Sequence, residues 1–157
     1  MYSLAMSEHL LIRRATVDQV PEIRALTLRA YTKWVDVTPR KPRPMTADYD
    51  VAFREHRFDC LYQGDELVGL IETVQQGNEL MIVNVAVEPC HQGRGFGVRL
   101  MRHAEAMAGD EGLVATRLYT NKLMTPNIAL YEGLGYRFEK ETHHDRGTIA
   151  VHMVRTI

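Results

Sequence analysis

Leu80-Met81-Ile82-Val83-Asn84-Val85-Ala86-Val87 is an apolar run broken only by Asn84, and Glu88-Pro89 ends it. A β-branched run of this kind reads as a central strand covered on both faces. Pro89 stops it, because proline has no N–H to give to a ladder. Gln92-Gly93-Arg94-Gly95-Phe96-Gly97 follows and opens a segment, Gly97 to Asp110, with Leu100, Met101, Ala104, Met107 and Ala108 at helical spacing. In a strand, glycine loop and helix, successive N–H groups face one concavity and the helix N-terminus adds partial positive charge, so a pyrophosphate fits. The loop is not the dinucleotide fingerprint. The third glycine that pattern needs would fall at Val98 or Leu100. It is not a nucleotide P-loop either, since no Gly-Lys followed by Ser or Thr occurs.

Outward from this core, Phe58–Tyr62 and Leu67–Val74 read as strands joined to Leu80–Val87 by turns at Gly64-Asp65 and Gln76-Gly77-Asn78, an antiparallel meander. Upstream, Leu10–Arg13 is a strand. Thr16 and Gln19 form a capping box for a helix that tolerates Pro21 and runs to about Thr32. Trp34–Met45 holds Pro39, Pro42 and Pro44 and is expected to be a loop, with a short helix near Ala47–His56. Downstream come a strand at Val114–Tyr119, a helix from Thr125 as N-cap with Pro126 first, and strands at Tyr136–Lys140 and Ile149–Val154. The strand, helix, strand unit after the meander is a crossover between antiparallel flanks. The expected class is α/β (α+β): a mixed, mostly antiparallel central sheet with helices on both faces.

The 157 residues suffice for one domain, 1–157, with 1–8 expected as a flexible tail. Lys+Arg of 19 against Asp+Glu of 20 leaves a net charge of -1, so there is no basic field for nucleic acid. No apolar run approaches a membrane span, and Met1–Leu11 has neither the basic nor the long apolar region of an export signal. A cytoplasmic protein with Cys60 and Cys90 as reduced thiols is expected. Ser3 and Ser7 are the only serines, which excludes a serine nucleophile on a turn inside the fold. His143-His144-Asp145 lacks spaced partners for a metal and reads as a polar turn.

Gln92, Gly95 and Gly97 match a pattern of Gln or Arg, two residues, Gly, one residue, then Gly or Ala. Leu130-Tyr131-Glu132-Gly133-Leu134-Gly135-Tyr136 supplies a Leu-Tyr on a helix followed by Gly-Tyr. With the order of elements, these two motifs resemble the GNAT acetyltransferase superfamily over nearly the whole chain. The resemblance implies a GNAT-like fold and acetyl-CoA as cosubstrate without a metal. It implies a small-molecule or peptide amine as acceptor, no nucleic-acid or membrane partner, and a homodimer as one assembly open to the chain. It further implies that the pantetheine arm pairs with the backbone of Val85, Ala86 and Val87 as an added strand would. The N–H groups of Gln92, Gly93, Arg94, Gly95, Phe96, Gly97 and Val98 would hold the pyrophosphate. Arg94, Arg99 or Arg102 would reach a phosphate at the nucleotide end, or stay solvated. Many relatives carry an Asn seven residues before the helix Tyr, where this chain has Met124. Asn127 or Asn121 would replace it, or would serve only as cap and turn residues.

Acyl transfer to an amine needs a neutral amine, a donor for the developing oxyanion and a proton for the leaving thiolate. The resemblance makes Tyr131 the general acid, with an N–H of Val85 or Ala86 polarising the carbonyl. Met81 stands where some relatives carry the base and cannot accept a proton. Glu72, mid-strand, is the candidate base and Glu79 the runner-up, against solvent-facing charges as the plain alternative. Trp34–Tyr49 borders the acceptor side by the same analogy. Its Arg40, Lys41 and Arg43 either bind a carboxylate or are solvated. The expected activity is acetyl-CoA-dependent N-acetyl transfer to a primary amine by direct attack on the thioester. The alternative is a non-catalytic acyl-CoA-binding module.

Overall fold

The computed structural model describes residues 9–157, so the expected tail at 1–8 lies outside the described residues. The strands are β1 (Leu10–Arg14), β2 (Arg57–Gln63), β3 (Glu66–Gln76), β4 (Glu79–Val87), β5 (Ala115–Asn121), β6 (Arg137–His143) and β7 (Ile149–Thr156). The helices are α1 (Val20–Tyr31), α2 (Arg43–Thr46), α3 (Tyr49–Glu55), α4 (Phe96–Asp110) and α5 (Thr125–Gly133). One seven-stranded sheet runs in the order β1-β2-β3-β4-β5-β7-β6. Among the described residues only β4 and β5 pair in parallel, and the other pairings are antiparallel. The expected meander and crossover are both present.

Two details differ from the sequence expectation. The proline-rich segment carries one helical turn, α2, with Pro44 in its first turn, where the missing N–H costs no intrahelical bond. At α5 the N-cap is Met124, and Thr125 is already helical. Asn121 causes this displacement. Its Oδ1 accepts from Leu123 N–H and its carbonyl from Met124 N–H, both at 2.9 Å, so the turn closes one residue early.

The sheet separates two core halves. On one face α4 lays down Leu100, Met101, Ala104 and Ala108, all fully buried, against Val68, Ile82 and Met153. On the other, α1 and α3 cover Phe58, Cys60 and Leu70 with Ile23, Leu26 and Ala52. Gly69 lets α4 approach β3. A Cβ there would sit 3.1 Å from both the Ala86 carbonyl oxygen and Leu100 Cδ1. No described helix is long and apolar enough to cross a membrane.

One irregularity on β4 positions everything that follows. The β3–β4 register runs Glu72 opposite Asn84, then Thr73 opposite Ile82, so Val83 is an extra residue. This β-bulge shifts the alternation by one. Ile82 belongs to the core half under α4, whereas beyond the bulge Val85 and Val87 pack on that half and Ala86 faces α1.

Candidate active site

Strands β4 and β5 pair over three positions only, Glu79–Met81 with Ala115–Arg117, and then part. The Arg117 guanidinium grips Glu79 at 2.9 Å and also pairs with Glu139, pinning the closed end of the wedge. That pairing consumes Glu79, which lines neither of the two cavities described below. Past Met81 one edge of β4 has no strand beside it. Glu88 N–H bonds the Val68 carbonyl, with Ala86 opposite Leu70 and Asn84 opposite Glu72. Antiparallel ladder groups alternate, so Asn84 and Ala86 give their backbone to β3 while Val85 and Val87 turn theirs to the open edge. Ala86, grouped with these two by sequence, contributes a cavity wall but no free N–H or C=O.

The glycine loop sits at the open end. Gly93 and Gly95 take φ of +83° and +82°, a left-handed conformation that side-chain-bearing residues rarely adopt. Gln92 N–H bonds the Pro89 carbonyl at 3.3 Å, so it is not available to a ligand as the sequence suggested. The first bond of α4 is Arg99 N–H to the Gly95 carbonyl. The six N–H groups from Gly93 to Val98 have no backbone acceptor among the described residues. These donors, at the N-terminus of a fifteen-residue helix, suit an anion. The Gln92 side chain ties the loop down by donating to the Val87 carbonyl at 3.0 Å and accepting from Lys33 Nζ at 2.9 Å. Arg29 forks onto Glu88 at 2.7 and 2.8 Å and fixes α1 to the same strand end. Phe96 is buried and stacks on His91. Arg94 is exposed, within 3.4 Å of His91 Nδ1, and Arg102 is engaged by Glu105 and the Leu134 carbonyl.

Two cavities meet in the wedge. One, of about 280 Å³, is bounded by the β4 edge, the glycine loop, Lys33, Trp34 and α5. The other, of about 470 Å³, lies on the far side, bounded by α2, β3, β5 and the start of β7. Tyr31, Val85, Asn127 and Tyr131 line both and form the partition. Burial alone pushes the Tyr131 phenol up to about 12. The Tyr31 hydroxyl donates to Asn84 Oδ1 at 2.8 Å and lies 3.4 Å from the Val85 carbonyl. Asn127 projects between the cavities, its amide 3.7 Å from Met124 Sδ. Asn121 lines only the larger cavity, and its side chain is engaged in the turn before α5.

Glu72 is 4% exposed and lines the larger cavity. Its Oε2 lies 2.6 Å from Nδ1 of His56, which also lines that cavity. Burial raises the carboxyl above its ordinary range, partly offset by His56. His56 ends α3, sixteen residues before Glu72, and nothing in sequence marks the two as partners. Lys33 was equally hidden; only the fold brings it to the glycine loop.

A sequence profile described as Acetyltransferase (GNAT) family matches residues 20–136. No curated protein matches the chain. Solved structures share its fold. The ribosomal-protein-S18-alanine N-acetyltransferase from Escherichia coli is 20% identical over 94% of each chain, with a TM-score of 0.77. An acetyltransferase from Bacillus subtilis in complex with CoA is 22% identical over 94% of this chain and 99% of its own, with a TM-score of 0.74. The PaiA N-acetyltransferase from Thermoplasma acidophilum in complex with coenzyme A is 15% identical over 94% and 99%, with a TM-score of 0.71.

Proposed function

This chain belongs to the GNAT acetyltransferase family, and from that premise we propose that it passes the acetyl group of acetyl-CoA to a primary amine by direct attack on the thioester. One observation carries this: the partition of Val85 and Tyr131, where the open edge of β4 separates a cavity under the glycine loop from a larger cavity holding a buried carboxylate. The six acceptor-less N–H groups from Gly93 to Val98 suit the pyrophosphate. The edge-facing N–H groups of Val85 and Val87 suit an amide-bearing arm laid along β4 as a further strand. Lys33, beside the loop, adds a cation. The thioester supplies an acyl group already activated for attack.

This chain's residues then divide the work. Val85 N–H faces the wedge and serves as donor to the acyl oxygen as negative charge develops there. Tyr131 gives its proton to the departing sulfur. A phenol near 12 is fully protonated at neutral pH, so the proton is in place before it is needed. On the other side, Glu72 and His56 relieve the amine of its proton. With Nδ1–H donated to Glu72, His56 keeps a lone pair on Nε2 to accept. The site needs neither a metal nor a protein nucleophile. The two free thiols, Cys60 buried and Cys90 exposed, suit a reducing cytoplasm.

The test is release of free thiol from acetyl-CoA with a panel of amines, amino acids and short peptides. At least one acceptor should raise the rate saturably above hydrolysis and yield its N-acetyl product. Tight acetyl-CoA binding with no acceptor turned over across the panel would favour the binding-module alternative.

A further inference from the structure

The larger cavity has an uneven charge lining. Among the described residues its permanent cations are Arg40, Lys41 and Arg43, and its one carboxylate is Glu72. That excess stands out in a chain whose net charge is -1. None of the three cations forms an ion pair among the described residues. Nor are they carried on a loose loop. The segment is stiffened by Pro39, Pro42 and Pro44, each with φ fixed by its ring. The Thr38 hydroxyl donates to the Arg40 carbonyl at 2.6 Å, and Thr38 is itself buried. The Tyr49 hydroxyl donates to the Pro44 carbonyl at 2.6 Å, pinning the other end. A backbone held at both ends loses little freedom on engaging a ligand, so the ordering cost falls on the side chains alone.

Resting on the acetyl-transfer reading of this site, the geometry points to a specific acceptor class: a small amine whose other end is an oxyanion, carboxylate or phosphate. The amine is drawn to the Glu72–His56 end, and the oxyanion to the strap of Arg40, Lys41 and Arg43, where guanidinium forks match either oxyanion. The lining mixes polar groups with Ile82, Val83, Leu118 and Ile149, so a short hydrocarbon spacer is accommodated. A space of about 470 Å³ suits a molecule of amino-acid size.

Calorimetric binding and acetylation rate are measured for ω-amino acids from glycine to 6-aminohexanoate, each against its carboxamide, and for phosphoethanolamine against ethanolamine. At low ionic strength at least one oxyanion-bearing amine should exceed its neutral partner tenfold or more in affinity and in kcat/KM. The better of the acid and phosphate arms identifies the oxyanion, and the preference should shrink in high salt. The triple variant Arg40→Ala, Lys41→Ala, Arg43→Ala should lose the preference through KM, while its melting point still rises with acetyl-CoA, showing the fold intact. Equal use of acids and amides, a preference that survives the triple variant, or turnover of peptides alone would each overturn the assignment. Binding of the acids without turnover would uphold the oxyanion site and count against the transfer chemistry instead.

Discussion

Tyr131 is the residue on which the proposed chemistry turns. Tyr131→Phe keeps the ring that packs edge-on to Tyr136 and deletes only the hydroxyl. On the proposed mechanism that hydroxyl acts as the sulfur acquires charge, so its loss belongs to the transition state. General acid catalysis is typically worth roughly 10²–10⁴-fold, so even with water substituting in part both kcat and kcat/KM should fall at least tenfold, with acetyl-CoA affinity nearly unchanged. Wild-type rates in the variant would reduce Tyr131 to packing. For the base, the sign follows from burial. Burial raises the Glu72 carboxyl, so as pH falls Glu72 takes up its proton earlier than an exposed carboxylate would, and activity should fall with it. Glu72→Gln should therefore lower turnover at neutral pH and flatten the acid limb of the rate profile. His56→Gln should do the same, whereas a Glu72 effect that His56→Gln does not share would leave the carboxylate as sole base. Glu79→Gln should leave that limb in place, because Glu79 is held by Arg117 away from both cavities.

At the level of elements, the glycine at position 69 sets how closely α4 lies on β3. Gly69→Ala should destabilise the fold by about 1–3 kcal/mol, read as a lower denaturation midpoint at unchanged slope, because the helix must give way. No loss would mean that α4 is not seated so tightly. Much at this level was legible. The apolar run at Leu80–Val87, the glycine loop and the stripe of α4 marked strand, turn and helix through periodicity and stop residues. The Val83 bulge was not legible, since an extra valine in a β-branched run leaves no compositional mark. Yet the bulge turns Asn84 and Ala86 toward α1 and leaves Val85 and Val87 at the open edge. The helical turn of α2 was hidden for a related reason: three prolines in six residues read as loop, although proline suits the first turn of a helix.

Across the whole molecule, the candidate site depends on separations the sequence does not display. The cofactor-side groups are nearly contiguous, from Val85 to Val98, and so declared themselves as a motif. The acceptor side draws on the strap, α3, β3, β5 and β7, and its pairing of His56 with Glu72 exists only once the sheet has formed. The central claim is that the wedge between β4 and β5, closed by the glycine loop, is an acetyl-CoA site, and its most direct test is the melting temperature with and without that ligand. Saturating acetyl-CoA at about 100 times Kd should stabilise the folded chain by about 2.7 kcal/mol, a rise of about 5–10 °C for a domain of this size. Gly95→Glu, which puts a side chain and a negative charge at a left-handed position in the anion cradle, should abolish the rise. No rise for the wild-type protein at millimolar acetyl-CoA, or an equal rise in Gly95→Glu, would contradict it.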